Sequence, residues 1–203
     1  MTKQLLNNTK KGETMIIALC GPSGIGKGFV KERLLEIYPF MEELSWLTTR
    51  PLRPDEQRGN RISVSPSEFE RFAKNGDLVF LQNIYGYRYG LRRKDLIPDS
   101  RIKLTELHPN NVAEAIKIIP DIIIVGLVTF DVSLLHERLS AIRRTESPSE
   151  VEKRITTAEE DMQTILRQKQ LFASVLEVSR DSESSITDRV AAILKPYLPQ
   201  KGE

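Results

Sequence analysis

The seven residues Gly21-Pro22-Ser23-Gly24-Ile25-Gly26-Lys27 fit G-x-x-x-x-G-K, a spacing that can hold a polyphosphate. Glycines let the backbone curl so that successive N–H groups point inward and form an anion cradle. A helix opening at Lys27 adds the positive end of its dipole. Lys27 itself supplies a mobile point charge for β- and γ-phosphates. With the adjoining Gly28 and Phe29, this loop is expected to bind the phosphates of ATP. The residue after the lysine is normally a serine or threonine whose hydroxyl holds Mg²⁺. Here it is Gly28, so Mg²⁺ is expected to be held through water and phosphate oxygens.

Such a loop needs a buried strand before it and a helix after it. Residues 15–20 (MIIALC) form a short apolar run, the signature of a parallel strand covered on both faces. Residues 27–37 read as the helix, with Val30, Leu34 and Ile37 at helical spacing and Pro39 ending it. Further on, strand and helix patterns alternate. Strands are expected at 44–48, 101–107, 122–128 and 174–178, with helices at 110–119, 131–141, 150–172 and 184–194. The alternation argues for an α/β three-layer fold with a parallel core sheet. Between residues 49 and 97 the texture changes to a proline-punctuated basic loop, short strands, and a helix start at Ser65-Pro66-Ser67-Glu68. There the Ser65 hydroxyl is expected to cap, with Glu68 three residues on.

The expected organisation is a polar, disordered tail over 1–14, with Met15 a candidate start, and one domain over 15–198. Its core takes 15–48 and 98–198, a small inserted lobe takes 49–97, and a lid lies at about 142–150. The 203 residues suffice to bury a core without staples. Thirty basic and 28 acidic residues leave a net charge of +2, which argues against a general nucleic-acid surface. The longest apolar block, 118–128, is interrupted by Pro120, Asp121 and Gly126. No run reaches the roughly 18 residues of a membrane span. The single cysteine, Cys20, excludes an internal disulfide and suits a reducing, cytoplasmic compartment; it reads as a small buried hydrophobe.

Four segments in order make the chain resemble the guanylate kinase family of P-loop nucleoside monophosphate kinases: GPSGIGKG; Thr48-Thr49-Arg50-Pro51-Leu52-Arg53-Pro54, similar to TTRxxRP; Gly86-Tyr87-Arg88-Tyr89-Gly90, similar to GNYYG; and Arg138, Arg143/Arg144 and Arg154, similar to the lid arginines. The resemblance runs from about residue 15 to 194. It implies a core that holds ATP, an inserted lobe that holds a phosphorylated acceptor, and a lid that closes over both. Arg50, Arg53 and Tyr89 match positions that grip the acceptor phosphate. Paired guanidinium forks suit that task, because each can bond two oxygens. Lys27, Arg138, Arg144 and Arg154 match residues that neutralise the transferring phosphoryl group. Which of Arg143 and Arg144 enters the cleft stays open, because the loop has one residue more than the family pattern.

The chain also departs from the family. Positions where the family reads guanine or grips phosphate with polar groups fall at Phe80, Trp46, Leu91 and Ile62, which suggests a less polar or smaller acceptor pocket. The family's paired aspartates at the end of the third core strand fall at Thr105 and Leu107. With a one-residue slip they fall at Glu106 and His108, on one strand face. The slip, slightly favoured, preserves a carboxylate, Glu106, to hold Mg²⁺-bound water; His108 otherwise reads as a turn residue before Pro109.

The expected function is therefore an ATP-dependent transfer of the γ-phosphoryl to a small phosphate-bearing molecule, with GMP or dGMP the family default. The alternatives are another nucleotide or a ribose phosphate as acceptor, or a family-like binding module that has lost catalysis. No nucleic-acid or membrane partner is expected, and the oligomeric state is not legible.

Overall fold

The computed structural model describes residues 14–52, 61–97, 99–142, 147–180 and 183–199. The tail expected over 1–14 lies, but for Thr14, outside them. Strand β1 (Met15–Cys20) is almost wholly buried and forms the centre of a five-stranded parallel sheet. Its partners are β7 (Ile102–Leu107) on one side and β8 (Ile123–Val128) on the other. Beyond them lie β2 (Met41–Glu43) and β9 (Ser174–Glu177) at the edges. Every residue of β8 is buried, as expected of a strand with helices on both faces.

Helix α1 (Lys27–Ile37) follows β1, α3 (Val112–Ile118) follows β7, and α4 (Val132–Ile142) follows β8. Helix α5 (Pro148–Arg167) returns the chain to β9, and α6 (Glu183–Leu194) closes the domain. Asp131 starts α4 by accepting from the Leu134 N–H at 3.1 Å, as its position suggests. Both α5 and α2 (Pro66–Lys74) begin with the same tetrapeptide, Ser-Pro-Ser-Glu. In each, the serine hydroxyl accepts from the glutamate N–H while the glutamate carboxylate accepts from the serine N–H. The second box moves the start of α5 two residues ahead of the expected 150, and the helix gives way to a 3₁₀ turn after Arg167.

The inserted segment builds a second, four-stranded sheet of order β4-β3-β6-β5, from β3 (Trp46–Thr48), β4 (Arg61–Ser63), β5 (Leu78–Ile84) and β6 (Tyr87–Arg92). The strand expected over 44–48 shortens to β3, and β2 forms ahead of that range. β2 ends the core sheet at Glu43, and three residues on β3 opens the second sheet. Helix α2 packs under that sheet through Phe69, which is fully buried against Leu47 and Leu78, with Ile62, Val64 and Phe72 around them. This cluster is separate from the main core. The Arg88 guanidinium lies 4.6 Å from the centre of the Phe69 ring and adds a cation–π contact.

Because Phe69 is the fully buried centre of this small cluster, Phe69→Ala should cost about 3–5 kcal/mol of unfolding free energy, the usual range for emptying such a site. Urea unfolding checks it: a midpoint within error of wild type would show that the small cluster does not hold the lobe.

Candidate functional site

The phosphate loop leaves β1 at Cys20 and enters α1 at Lys27. Gly26 caps that helix with φ 104°, a left-handed conformation that favours glycine. At Gly21 a Cβ would lie 2.8 Å from the Leu127 carbonyl oxygen, so β8 can pass this close only to a glycine. Lys27 folds back over the loop, and its Nζ donates to the carbonyls of Gly21 (2.7 Å) and Pro22 (2.8 Å). Burial pulls its pKa down, while Glu106, Cys20 and Asp161 pull the other way. From α4, Arg138 donates through Nη1 to the Ile25 carbonyl at 3.0 Å. Both cations therefore stand at the loop. Burial pushes the Cys20 thiol up to about 12, in keeping with a packing role.

The loop forms one wall of a cavity of about 840 Å³ that reaches the second sheet. Arg50 and Tyr89 line the opposite wall. Arg50 is buried and its backbone is fixed at both ends: its N–H donates to Thr48 Oγ1 and its carbonyl accepts from the Ser63 hydroxyl, each at 3.0 Å. Tyr89 pairs with Thr48 across β3 and β6. Arg154, from the first turns of α5, also lines the cavity, with its guanidinium 3.8 Å from the centre of the Tyr85 ring. Arg53, Arg143 and Arg144 lie outside the described residues. Six cations (Lys27, Lys31, Arg50, Arg61, Arg138 and Arg154) face four carboxylates (Glu32, Glu43, Glu106 and Asp161) among the described lining.

The wall opposite the loop, where an acceptor was expected, is more polar than the sequence suggested. Strand β4 runs parallel to β3 with Arg61 beside Trp46 and Ile62 beside Leu47. Side chains alternate along a strand. So Arg61 lines the cavity and Ile62 packs toward Phe69 on the other face. Phe80 has φ 53°, at a register shift between Val79 and Gln82, and both Phe80 and Leu91 are buried in the main core. Gln82 lines the cavity instead. Of the four apolar positions noted in the sequence, only Trp46 borders the cavity, and its Nε1 donates to Thr105 Oγ1 at 2.9 Å.

At the end of β7, Glu106 and His108 both line the cavity while Thr105 is buried under Trp46. Both residues of the slipped register thus reach the cavity, as does Leu107 of the ungapped one. Lys31, one turn beyond Lys27, bridges Glu43 and Glu106, the latter at 2.7 Å. Burial would raise the Glu106 pKa, but Lys31, Lys27 and Arg61 outweigh it and hold the carboxyl at about 2. The two carboxylates in turn raise the Lys31 pKa against its own burial. These residues give Mg²⁺ no direct protein ligand set: Gly28 has no hydroxyl, and among the described residues no group of three His, Cys, Asp or Glu could hold a metal, so Glu106, already paired with Lys31, could act only through bound water.

Asp161, which sequence reasoning missed, comes from α5 to within 3.5 Å of His108 Nε2. His108 Nδ1 accepts from the Asn110 N–H, which assigns the ring proton to Nε2, facing Asp161. Burial raises the Asp161 pKa to about 6, with Lys27 opposing. Burial and then Lys27 lower the His108 pKa to about 4. Asp161 lies inside the buried stripe Ala158, Met162, Ile165 of α5, and an acid in an apolar stripe is the signal that marks it.

No protein-family model matches the chain. It is similar to the guanylate kinase of Lactobacillus acidophilus, 31% identical over 186 residues, which cover 89% of this chain and 87% of that protein. The guanylate kinase of Latilactobacillus sakei is 32% identical over 155 residues, covering 73% of this chain and 75% of the other. That of Symbiobacterium thermophilum is 30% identical over 157 residues, 75% and 73% of the two chains. Among solved structures, the guanylate kinase from Anaplasma phagocytophilum shares the fold with a TM-score of 0.69 at 20% identity, over 94% of this chain and 89% of that one.

The His108–Asp161 contact makes a signed prediction. Asp161 has a folded pKa above its ordinary value of 3.8, so its contribution to stability is full below about pH 4 and is lost as pH rises through 6. His108 is depressed from 6.5, so its contribution is full above 6.5 and is lost as pH falls through 4. Each is worth on the order of 3 kcal/mol, at ~1.4 kcal/mol per pKa unit. Relative to wild type, Asp161→Asn should gain stability from pH 4 to 6.5 and His108→Gln should lose it. Urea midpoints across that range test this; parallel profiles for the two variants would refute it.

Proposed function

Because the chain belongs to the guanylate kinase family and is a phosphotransferase, we propose that it moves the γ-phosphoryl of ATP onto the phosphate of a small acceptor, GMP or dGMP by family default. The observation that carries this reading is one cavity lined both by the phosphate loop with Lys27 and Arg138 and by Arg50 and Tyr89 of the second sheet. A nucleotide switch needs the first wall only. The second has the chemistry of a second phosphate site.

In this reading residues 21–29 cradle the donor phosphates through backbone N–H groups and the α1 dipole. Lys27 leaves its two carbonyl partners for the β- and γ-oxygens. Arg138 and Arg154, joined by Arg144, spread positive charge over the phosphoryl in flight, which is the main catalytic tool of this reaction class. Arg50, Arg53 and Tyr89 hold the acceptor phosphate in line. Mg²⁺ travels with the nucleotide as part of the substrate, and neutralises phosphate charge when bound.

A second reading keeps the chemistry and changes the acceptor. It is favoured by the pocket floor, where Arg61, Gln82 and the Lys31–Glu43–Glu106 cluster stand instead of the family's guanine-reading side chains. An ADP-release assay with ATP, Mg²⁺ and GMP, dGMP, AMP, UMP, CMP, TMP or ribose 1,5-bisphosphate distinguishes the two. Turnover should depend on the acceptor and fall by about 10³ or more in Lys27→Ala. Equal ADP release with and without every acceptor would defeat both readings. Lys31→Met, which leaves two carboxylates facing each other, should raise the KM of an acceptor with a second anionic group about tenfold or more while the ATP KM stays within about twofold. An unchanged acceptor KM would remove the cluster from the pocket's chemistry.

A further inference from the structure

Strands β5 and β6 close on the pair Ile84–Tyr87, leaving Tyr85 and Gly86 as a two-residue turn. Both have positive φ, 51° and 79°. A turn of this type favours Asn, Asp or Gly at its first position. A bulky aromatic there is an outlier, and such outliers persist where the surroundings hold them for a purpose. Tyr85 is 39% exposed, so filling a core does not explain it.

What the ring does touch is α5. The Arg154 guanidinium lies over its face, 3.8 Å from the centre. Its phenol is also a hydrogen-bonding partner of Thr157, one turn along the same helix. Thr157 is itself anchored, donating to the Lys153 carbonyl at 3.0 Å. The tip of the acceptor hairpin thus reaches across the cavity wall and attaches to the helix that carries Arg154. A free arginine side chain samples many rotamers, and each must be given up when it meets a phosphoryl group. The aromatic face fixes the guanidinium plane, and the phenol is also a hydrogen-bonding partner of Arg154, so the group is oriented before a phosphoryl group arrives.

We propose that Tyr85 is a positioning residue that holds Arg154 ready over the cleft, at the cost of an unfavourable turn conformation. This rests on the reading of Arg154 as a phosphoryl-neutralising group. It also couples the acceptor lobe to that group, because the hairpin that carries Tyr85 continues into Tyr89 on the acceptor wall.

The test compares wild type, Tyr85→Asn, Tyr85→Phe, Arg154→Ala and the Tyr85→Asn/Arg154→Ala double variant, by steady-state transfer from ATP to GMP and by thermal unfolding. Asparagine suits the turn, so Tyr85→Asn should melt no lower than wild type. Its kcat should nevertheless fall about tenfold or more, as expected when a charge-bearing group loses its placement, with the ATP KM within about twofold. Phenylalanine keeps the ring face and should keep most of kcat. The double variant should be no slower than Arg154→Ala alone. Wild-type kcat in Tyr85→Asn beside an impaired Arg154→Ala overturns the proposal and leaves the role of Arg154 standing. Wild-type kcat in Arg154→Ala overturns that role, and the proposal with it, as does a wild-type rate no higher than ATP hydrolysis without GMP. A lowered melting temperature with an unchanged kcat would reduce Tyr85 to a structural tie.

Discussion

Two ammonium groups one turn apart on α1 set the floor of the cleft. Lys27 turns back to the carbonyls of Gly21 and Pro22; Lys31 reaches between β2 and β7 to Glu43 and Glu106. Removing charge from water costs several kcal/mol per ion unless partners compensate. Helix α1 therefore cannot slide or rotate without leaving a cation stranded among apolar neighbours such as Val30 and Leu34. The net gain in stability from such pairs is small, but the gain in position is large. The N–H groups at the start of α1 are held at a set distance from two strand ends, and the cavity walls are placed from there.

Strand β7 is the second fixed member. It carries Glu106 and His108 into the cavity, and it also anchors the inserted lobe. Leu44 donates its N–H to the Leu104 carbonyl at 2.9 Å, where the chain leaves the core sheet. Two residues later the Trp46 indole donates to Thr105. The tilted rings of Trp46 and Phe80, 6.5 Å apart, continue the contact into β5. The crossing between the two sheets is thus tied at adjacent residues of β7 rather than left as a free linker. The acceptor wall faces the phosphate loop because both are attached to the same strand.

How much of this was legible in the sequence depends on how strongly each local signal is set. The loop, β1 and α1 announce themselves, because glycines, lysine and an uninterrupted apolar run admit few alternatives. The Ser65 box was legible for the same reason. Its twin at Ser147 carries the same four residues but follows the polar run 143–146 rather than an apolar strand, so the sequence ahead of it gives no boundary. The break between β2 and β3 had no glycine or proline to mark it; Leu44 and Ser45 simply change sheets. Strand β4 has three residues, too few for alternation to set a register, and a slip of one residue exchanges the faces of Arg61 and Ile62. Phe80 escaped because a bulge at a non-glycine residue leaves no mark in composition, yet it carries one side chain into the core and brings Gln82 to the cavity.

These two displacements change what the lost guanine contacts mean. Had Phe80, Leu91 and Ile62 lined the pocket, the acceptor's far end would meet hydrocarbon, and polar edges would go unpaired at about 1–3 kcal/mol each. With Phe80 and Leu91 in the core and Ile62 against the small cluster under the second sheet, that penalty does not arise. The wall instead presents Gln82, Arg61 and carboxylates already engaged by Lys31. A neutral base edge rich in N–H donors can use Glu43 or Glu106 only by sharing it with the ammonium, which weakens a buried ion pair. An anionic group can meet Arg61 with no such exchange, and the excess of cations over carboxylates along the cavity already favours two highly charged ligands side by side. On the proposed function, acceptor selection is therefore a contest between a hydrogen-bonded base edge and a second anion, weighed at Lys31 and Arg61, two positions outside the motifs that carry the family resemblance.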